Sequence, residues 1–266
     1  MNREQRLVFG EVAEQYDRHR PGYPDRVVDD LVELAGLDVG SLVLEVGAGT
    51  GKATSMFAAR GIRVLAVEPS AEMAAVARRV CAGDGDAGAV RIEESDFERW
   101  DPAGRRFPLV FAAQAWHWVE PAVGFAKAAS VLRPGGVLAA FWNRPVWAWA
   151  PLRQAVLDAY QRAAPELLDA TDPIHPASSP PSDAAEWRAG VAGSDGLGEV
   201  EVRYYEWSET YSAADYAALL QTHSTVRVLD PARRSRLVGA VAQAIESRGD
   251  RLDLPIVTRL CLARLK

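Results

Sequence analysis

The sequence predicts a doubly wound α/β fold, a mostly parallel sheet with helices on both faces and a helical cap insertion. Three observations predict it. Four short continuous apolar runs, Leu42–Leu44, Val64–Val67, Leu109–Phe111 and Val137–Phe141, are separated by helix-compatible stretches at about 51–60, 71–82 and 121–132. Strands covered by helices on both faces read as unbroken apolar runs rather than as alternation. The first run leads straight into a glycine cluster, Gly47-Ala48-Gly49-Thr50-Gly51. At 266 residues, with 48% apolar and 25% charged side chains, the chain suits one elaborated domain with an ample core. The expected layout is one domain over 1–266, its core at about 25–143 and 199–266, its cap from 1–24 and 144–198.

Taken in order, the first 35 residues read as helix, loop, helix. Leu7, Val8 and Val12 give a weak apolar face, and Arg20-Pro21-Gly22-Tyr23-Pro24 forbids a continuous helix. Asp25 is placed to cap a helix whose stripe is Val27, Val28, Leu31, Val32 and Ala35. The four apolar runs and their helices follow. After Asn143 the pattern breaks. A tryptophan-rich helix candidate (Trp147, Trp149, Leu152, Val156) precedes a proline-rich stretch, Asp172–Pro181, read as a loop within an insertion. Val200–Trp207 alternates like a strand, Leu237, Val238, Val241, Ala242 and Ile245 form a helical stripe, and Pro255–Leu262 suits a closing strand.

Composition narrows the function. A net charge of −6 disfavours nucleic-acid and anionic-membrane partners. Cys81 and Cys261 form no CxxC pair and stand near no histidine cluster, so buried free thiols in a reducing cytoplasm are expected rather than a disulfide or a metal site. The polar N-terminal stretch does not read as a signal peptide, and no apolar run has the length of a membrane span. A cytoplasmic enzyme is the expectation.

The chemistry gathers around Glu45 and the glycines. Their GxGxG spacing differs from the GxGxxG of dinucleotide-binding loops. A carboxylate beside the turn would repel a pyrophosphate, yet it suits an ammonium group or an ordered water. A second acid, Glu68, ends the next strand, where it can hold both hydroxyls of a ribose. Together these suit a cationic nucleoside without phosphate, such as S-adenosyl-L-methionine.

On these residues the sequence resembles the Rossmann-like class I S-adenosylmethionine-dependent methyltransferases. Glu45–Gly51 looks like their motif I; Val67-Glu68-Pro69-Ser70 with Met73 looks like motif II. Ser95-Asp96-Phe97 matches the adenine-contacting pair, and Leu132-Arg-Pro-Gly-Gly136 the turn before strand five. Ala113–Trp118 and Tyr16–Pro24 resemble the trans-aconitate-methyltransferase-like branch, with small-molecule acceptors. The resemblance implies that Gly47, Ala48, Gly49 and Gly51 bring backbone to the methionine part. It implies Glu68 at the ribose diol, Pro69 and Met73 of the same motif at the cofactor, and Asp96 and Phe97 at the adenine. Gln114 and Ala115 would close the site near the sulfonium, with Tyr16 and Arg20 over the methionyl carboxylate.

His117, just past a strand end, is the candidate base for an acceptor hydroxyl, carboxyl or amine, set against a structural role in the pocket wall. His19, His175 and His223 show no ligand spacing. Trp116, Trp118, Trp142, Trp147 and Trp149 divide between core packing and an aromatic lining. Arg233-Arg234-Ser-Arg236 reads as a solvated helix face. The expected reaction is methyl transfer to a small-molecule oxygen, carboxylate or hydroxyl, without a metal. The alternatives are a non-methylating rearrangement or cyclisation on the same cofactor, a nicotinamide oxidoreductase, and an RNA acceptor.

Overall fold

The four apolar runs fold as β1 (Leu42–Val46), β2 (Arg63–Glu68), β4 (Phe107–Ala113) and β5 (Leu132–Pro145). They belong to a computed structural model that describes residues 13–82, 89–168, 174 and 184–266. With β3 (Val90–Glu94), β6 (Glu201–Tyr211) and β7 (Leu252–Arg264) they make one seven-stranded sheet, ordered β3-β2-β1-β4-β5-β7-β6. The pairings among β1–β5 are parallel, whereas β7 runs antiparallel to both β5 and β6. The expected mostly parallel sheet is therefore present.

Successive residues of each strand enter opposite layers, which is why the runs carry no polar alternate. Leu44, Val46, Leu65, Val67, Val110, Ala112, Leu138 and Ala140 pack in one layer with α5 (Pro121–Val131) and α7 (Ala185–Ala192). Val43, Val64, Ala66, Leu109, Phe111, Val137, Ala139 and Phe141 pack in the other with α2 (Asp25–Leu34) and α3 (Lys52–Ala58). In that second layer Phe111 stacks on Phe57 at 4.3 Å and on Phe141 at 6.4 Å. Each such buried ring contributes on the order of 2–3 kcal/mol relative to exposure.

Helix starts follow local chemistry. Ser70 caps α4 (Ala71–Cys81) by accepting from the Met73 N–H, and Asp230 caps α10 (Pro231–Glu246) by accepting from Ala232 and Arg233. Asp25 does not cap α2: extended Pro24 takes that position, and Asp25, the first helical residue, instead pairs with Arg60 at 2.9 Å. Arg133–Gly136 bulge out of register between the Phe107–Leu132 and Leu109–Val137 pairs, so the glycine turn sits within the β5 ladder.

A third apolar cluster forms the helical cap. α6 (Arg153–Ala163) and α8 (Ala213–Leu220) both pack on α10 in a cluster of Val156, Leu157, Leu220, Leu237 and Val241, with Trp147, Tyr211 and Leu254 in the same cluster. The cap thus draws on 213–246, which the sequence reading assigns to the core, because these helices are inserted between β6 and β7 and match the apolar face of α6. Conversely α7, within 144–198, joins the sheet layer through Trp187 and Val191. α1 (Ala13–His19) and the short α9 (Ser224–Arg227) complete the described helices used below. The apolar face expected from Leu7, Val8 and Val12 lies outside the described residues, as do His175 and most of the proline-rich stretch. Among the described residues no helix is long and apolar enough to cross a membrane.

Candidate functional site

A cavity of about 540 Å³ opens over the carboxyl ends of β1, β2, β4 and β5. It lies where the sheet order reverses, since the chain leaves β1 for β2 on one side and crosses to β4 on the other. Loops diverging at such a point leave a crevice. Tyr16, Arg20, Glu45, Gly47, Ala48, Gly49, Glu68, Pro69, Met73, Asp96, Phe97, Gln114, Ala115 and His117 all border it.

Glu45, the penultimate residue of β1, is 1% exposed. Its Oε2 accepts a short hydrogen bond from the Thr54 hydroxyl, whereas Oε1 has no hydrogen-bond partner among the described residues. Burial pushes this carboxyl up to about 8; the Thr54 bond lowers it and the Glu68 charge raises it further. A buried carboxylate with an orphan oxygen is costly in isolation, and a cationic donor would remove the cost.

Glu68, 6% exposed, is held by the backbone on both oxygens. The Gly49 N–H donates to Oε2 at 2.8 Å and the Ser70 N–H to Oε1 at 2.9 Å. Burial raises its pKa against these two bonds. Each oxygen keeps a lone pair, so the carboxylate can accept two further donors set side by side.

The glycines serve different ends. Gly47 has φ +73°, and a Cβ there would fall 2.5 Å from the Ala115 Cβ, so no side chain fits. Gly49 has φ +57° with open space where its Cβ would stand. Gly51 does not border the cavity. It begins α3 with φ +88°, and a Cβ would meet Cys81 Sγ at 3.0 Å and Ala77 Cβ at 3.2 Å, so it serves close packing of α3 on α4. Across the cleft Gln114 takes φ 57°, uncommon for a residue with a side chain, and its N–H donates to Phe141 O at 2.9 Å.

Arg20 is shared with the cap. Its Nε donates to Thr222 Oγ1 at 2.9 Å and one terminal nitrogen to Thr222 O at 3.1 Å, with the guanidinium 5.1 Å from the Tyr16 ring centre. Guanidinium carries five N–H donors, so several remain for a carboxylate. Met73 is buried with Ala13 and Val76. The Phe97 ring packs 6.3 Å from Trp100 and 6.1 Å from Trp116, so the residue joins core and cavity.

His117 does not present itself as a base. Its Nδ1 accepts from Trp142 Nε1 at 3.2 Å, and desolvation lowers its pKa to about 4. At neutral pH the ring is uncharged, and with Nδ1 accepting, the proton sits on Nε2. His117 therefore offers the cavity a donor. The tryptophans divide only in part as expected: Trp116 is core, Trp118 and Trp147 line the cavity, Trp142 holds His117, and Trp149, 52% exposed, is neither core nor lining.

Several cavity residues carry no motif in the sequence. Asn143 ties the β5 end to both the entry loop and β7, donating to Gly22 O at 2.7 Å and accepting from Thr258 Oγ1 at 2.6 Å. Tyr23 packs edge-on against Phe141 at 4.9 Å. Tyr160, Tyr211, Tyr216, Leu219, His223, Leu254 and Ile256 form the outer wall. The signal available for Asn143 was its place where the apolar run stops; the outer wall has only its aromatic density.

Comparison with known proteins gives concordant results. Residues 43–136 match the methyltransferase domain family. The methyltransferase Rv3342 of Mycobacterium tuberculosis is 38% identical over 145 residues, 53% of this chain and 54% of that one, so the chain spans about half the length of this relative. Among solved structures, a protein from Anaeromyxobacter dehalogenans superposes with a TM-score of 0.61 at 23% identity, covering 92% of this chain and 97% of that one. A SAM-dependent methyltransferase from Thiobacillus denitrificans, solved with S-adenosyl-L-homocysteine, gives 0.52 at 17% identity over 100% and 99%. These likenesses show the Rossmann-like methyltransferase fold.

Proposed function

We propose that this chain, whose residues 43–136 form a methyltransferase domain, binds S-adenosyl-L-methionine in the inner half of the cavity and methylates a small-molecule oxygen acceptor in the outer half. The observation that carries the reading is the orphan oxygen of buried Glu45 beside the doubly held Glu68 carboxylate.

The residues present fit each part of that cofactor. The Glu45 carboxylate suits the ammonium group, since ionised and paired it loses its desolvation cost. Glu68 suits a ribose diol, one free lone pair on each oxygen. Gly47 and Gly49 leave bare backbone on the path between them, and Arg20 faces a methionyl carboxylate. Asp96 and Phe97, with Pro69 and Met73, border the space for the adenine. Gln114 and Ala115 wall the region towards the acceptor. When bound, the cofactor supplies an electrophilic methyl on a sulfonium, displaced in line by an acceptor lone pair. The protein's contribution is positioning and the exclusion of water. His117, a fixed donor, steadies an acceptor oxygen rather than removing its proton.

Calorimetry with S-adenosylhomocysteine tests this. Micromolar or tighter binding is expected, lost in Glu68→Ala. Absence of binding, or tight binding of NADH instead, overturns it.

A further inference from the structure

The two halves of the cavity differ in charge. Besides Arg20, the charged lining is Glu45, Lys52, Glu68, Asp96 and Glu98, whereas from Pro145 onward the described lining contains no Asp, Glu, Lys or Arg. That outer wall is built of Trp147, Tyr160, Tyr211, Tyr216, Leu254 and Ile256. Arg20, at the junction, holds Thr222, and its charge is felt by His223 and Tyr211 of the outer wall. An ammonium acceptor would lose its hydration here without gaining an anion from the described lining, and a carboxylate would find only Arg20, which the cofactor reading already pairs with the methionyl carboxylate.

One polar side chain in the outer wall stands out. His223, between α8 and α9, borders the cavity, and its imidazole makes no hydrogen bond among the described residues. Burial and the neighbouring Arg20 charge hold it well below the ordinary histidine range. The ring is therefore neutral at physiological pH and keeps a nitrogen lone pair for an O–H donor. Tyr211, whose hydroxyl is also without a hydrogen-bond partner, is held protonated by burial and by Glu209, so it adds no charge.

We propose that the acceptor is an uncharged, largely apolar hydroxyl compound, a phenol by class, and that His223 accepts the hydrogen bond of its hydroxyl. This rests on the methyltransferase reading above. The proton released when the hydroxyl oxygen is methylated passes to the imidazole and on to solvent. A weak base suffices, because a methylated oxygen still bearing its proton is a strong acid.

The test uses three naphthalenes that share a ring and differ in the polar group. Binding of 2-naphthol, 2-naphthoate and 2-naphthylmethylammonium is measured by calorimetry on the full chain preloaded with S-adenosylhomocysteine. Then 2-naphthyl methyl ether is sought by mass spectrometry with S-adenosylmethionine. The naphthol is expected to bind at least about tenfold tighter than either ion, the margin of one uncompensated buried charge or more. His223→Phe is expected to weaken naphthol binding about tenfold, with His223→Gln recovering part through its amide oxygen. Both variants should keep homocysteine-nucleoside affinity within about twofold, since His223 is placed on the acceptor side. Equal or tighter binding of an ion, binding of none of the three, or an unaffected His223→Phe overturns the inference while leaving the cofactor reading intact. Failure of the preloading step itself overturns both.

Discussion

The inner and outer walls of the cavity are built on different principles. The core of the inner wall comes from two short segments, 45–49 and 68–73, each at the end of a parallel strand, and backbone atoms hold Glu68, both of whose oxygens accept main-chain N–H groups. The outer wall is gathered from 143–167, 211–225 and 254–256, and side chains hold it together, as in the Arg20–Thr222 bonds across 202 positions. A site fixed by backbone is encoded locally and tolerates little substitution. A site assembled from packed side chains can change its occupant by changing a few residues. The division suits a reaction in which one ligand is constant and the other varies between relatives.

The largest expected effect tests the backbone half. Gly47→Val drives a Cβ to within 2.5 Å of Ala115 at φ +73°, so the loop must move. S-adenosylhomocysteine affinity is expected to fall more than about 100-fold while the circular dichroism spectrum holds, the cost of a strained β-branched residue and a displaced loop. Glu68→Ala should match it, since it strands the Gly49 and Ser70 N–H groups as well as removing the diol acceptor. Near-normal binding in either variant would break the contrast between the two walls.

Next comes Glu45→Gln, which should lower cofactor affinity about ten- to 100-fold yet stabilise the free protein. The sign follows from the raised folded pKa of about 8. Between the ordinary carboxylate range and pH 8 the folded protein holds a proton that the unfolded chain has lost. This group's contribution therefore falls by about 1.4 kcal/mol per pH unit as pH rises. The uncharged amide has no such slope, so the variant's advantage in Tm should widen from pH 5 to pH 8. Cofactor affinity of the native protein should rise over the same window, because the ammonium selects the ionised acid. A Tm gap that is constant with pH would remove the buried-acid argument.

How much of this was legible in the sequence follows the same division. The buried central strands, the helices between them and the inner wall were readable because each depends on residues a few positions apart, whereas edge strand β3, Val-Arg-Ile-Glu-Glu, carries no continuous apolar run. Glu45, the glycines and Glu68 announce a strand end by their types and spacing alone. Two local readings still failed on geometry. Gly51 belongs to helix packing against Cys81 and Ala77 on another helix, and His117 lost its role as base to an indole N–H from Trp142, 25 positions on. The helical cap was misallotted for the same reason. The helices at 213–246 look like a continuation of the core until α6 is found against them. No residue near His223 or Thr222 marks them as cavity residues; only the folding of α8 towards α1 does so.

Thr222→Val tests whether the long-range half holds Arg20 for the cofactor. The change keeps the volume of a buried residue and removes the hydroxyl that accepts from Arg20 Nε, leaving the carbonyl contact. S-adenosylhomocysteine affinity should fall roughly three- to tenfold, less than the full worth of one hydrogen bond to a charged group because the carbonyl contact still holds Arg20. An analogue lacking the carboxylate should be bound equally by both proteins. If that analogue is weakened to the same degree, Thr222 supports the cap rather than the carboxylate contact.

The smallest expected effect isolates backbone conformation from steric fit. Gly49 shares with Gly47 a positive φ, +57° against +73°, but its missing Cβ would point into open space. Gly49→Ala therefore carries the left-handed cost of about 1 kcal/mol without a clash. For a chain of this size that corresponds to a Tm lower by about 2–4 °C. The Gly49 N–H still reaches Glu68, so cofactor affinity should drop less than about tenfold, well short of the loss in Gly47→Val. If Gly49→Ala were as damaging as Gly47→Val, the space beside Gly49 would have to be filled by the ligand itself. The inner wall would then recognise its occupant by contact with the methyl position as well as by its two acids.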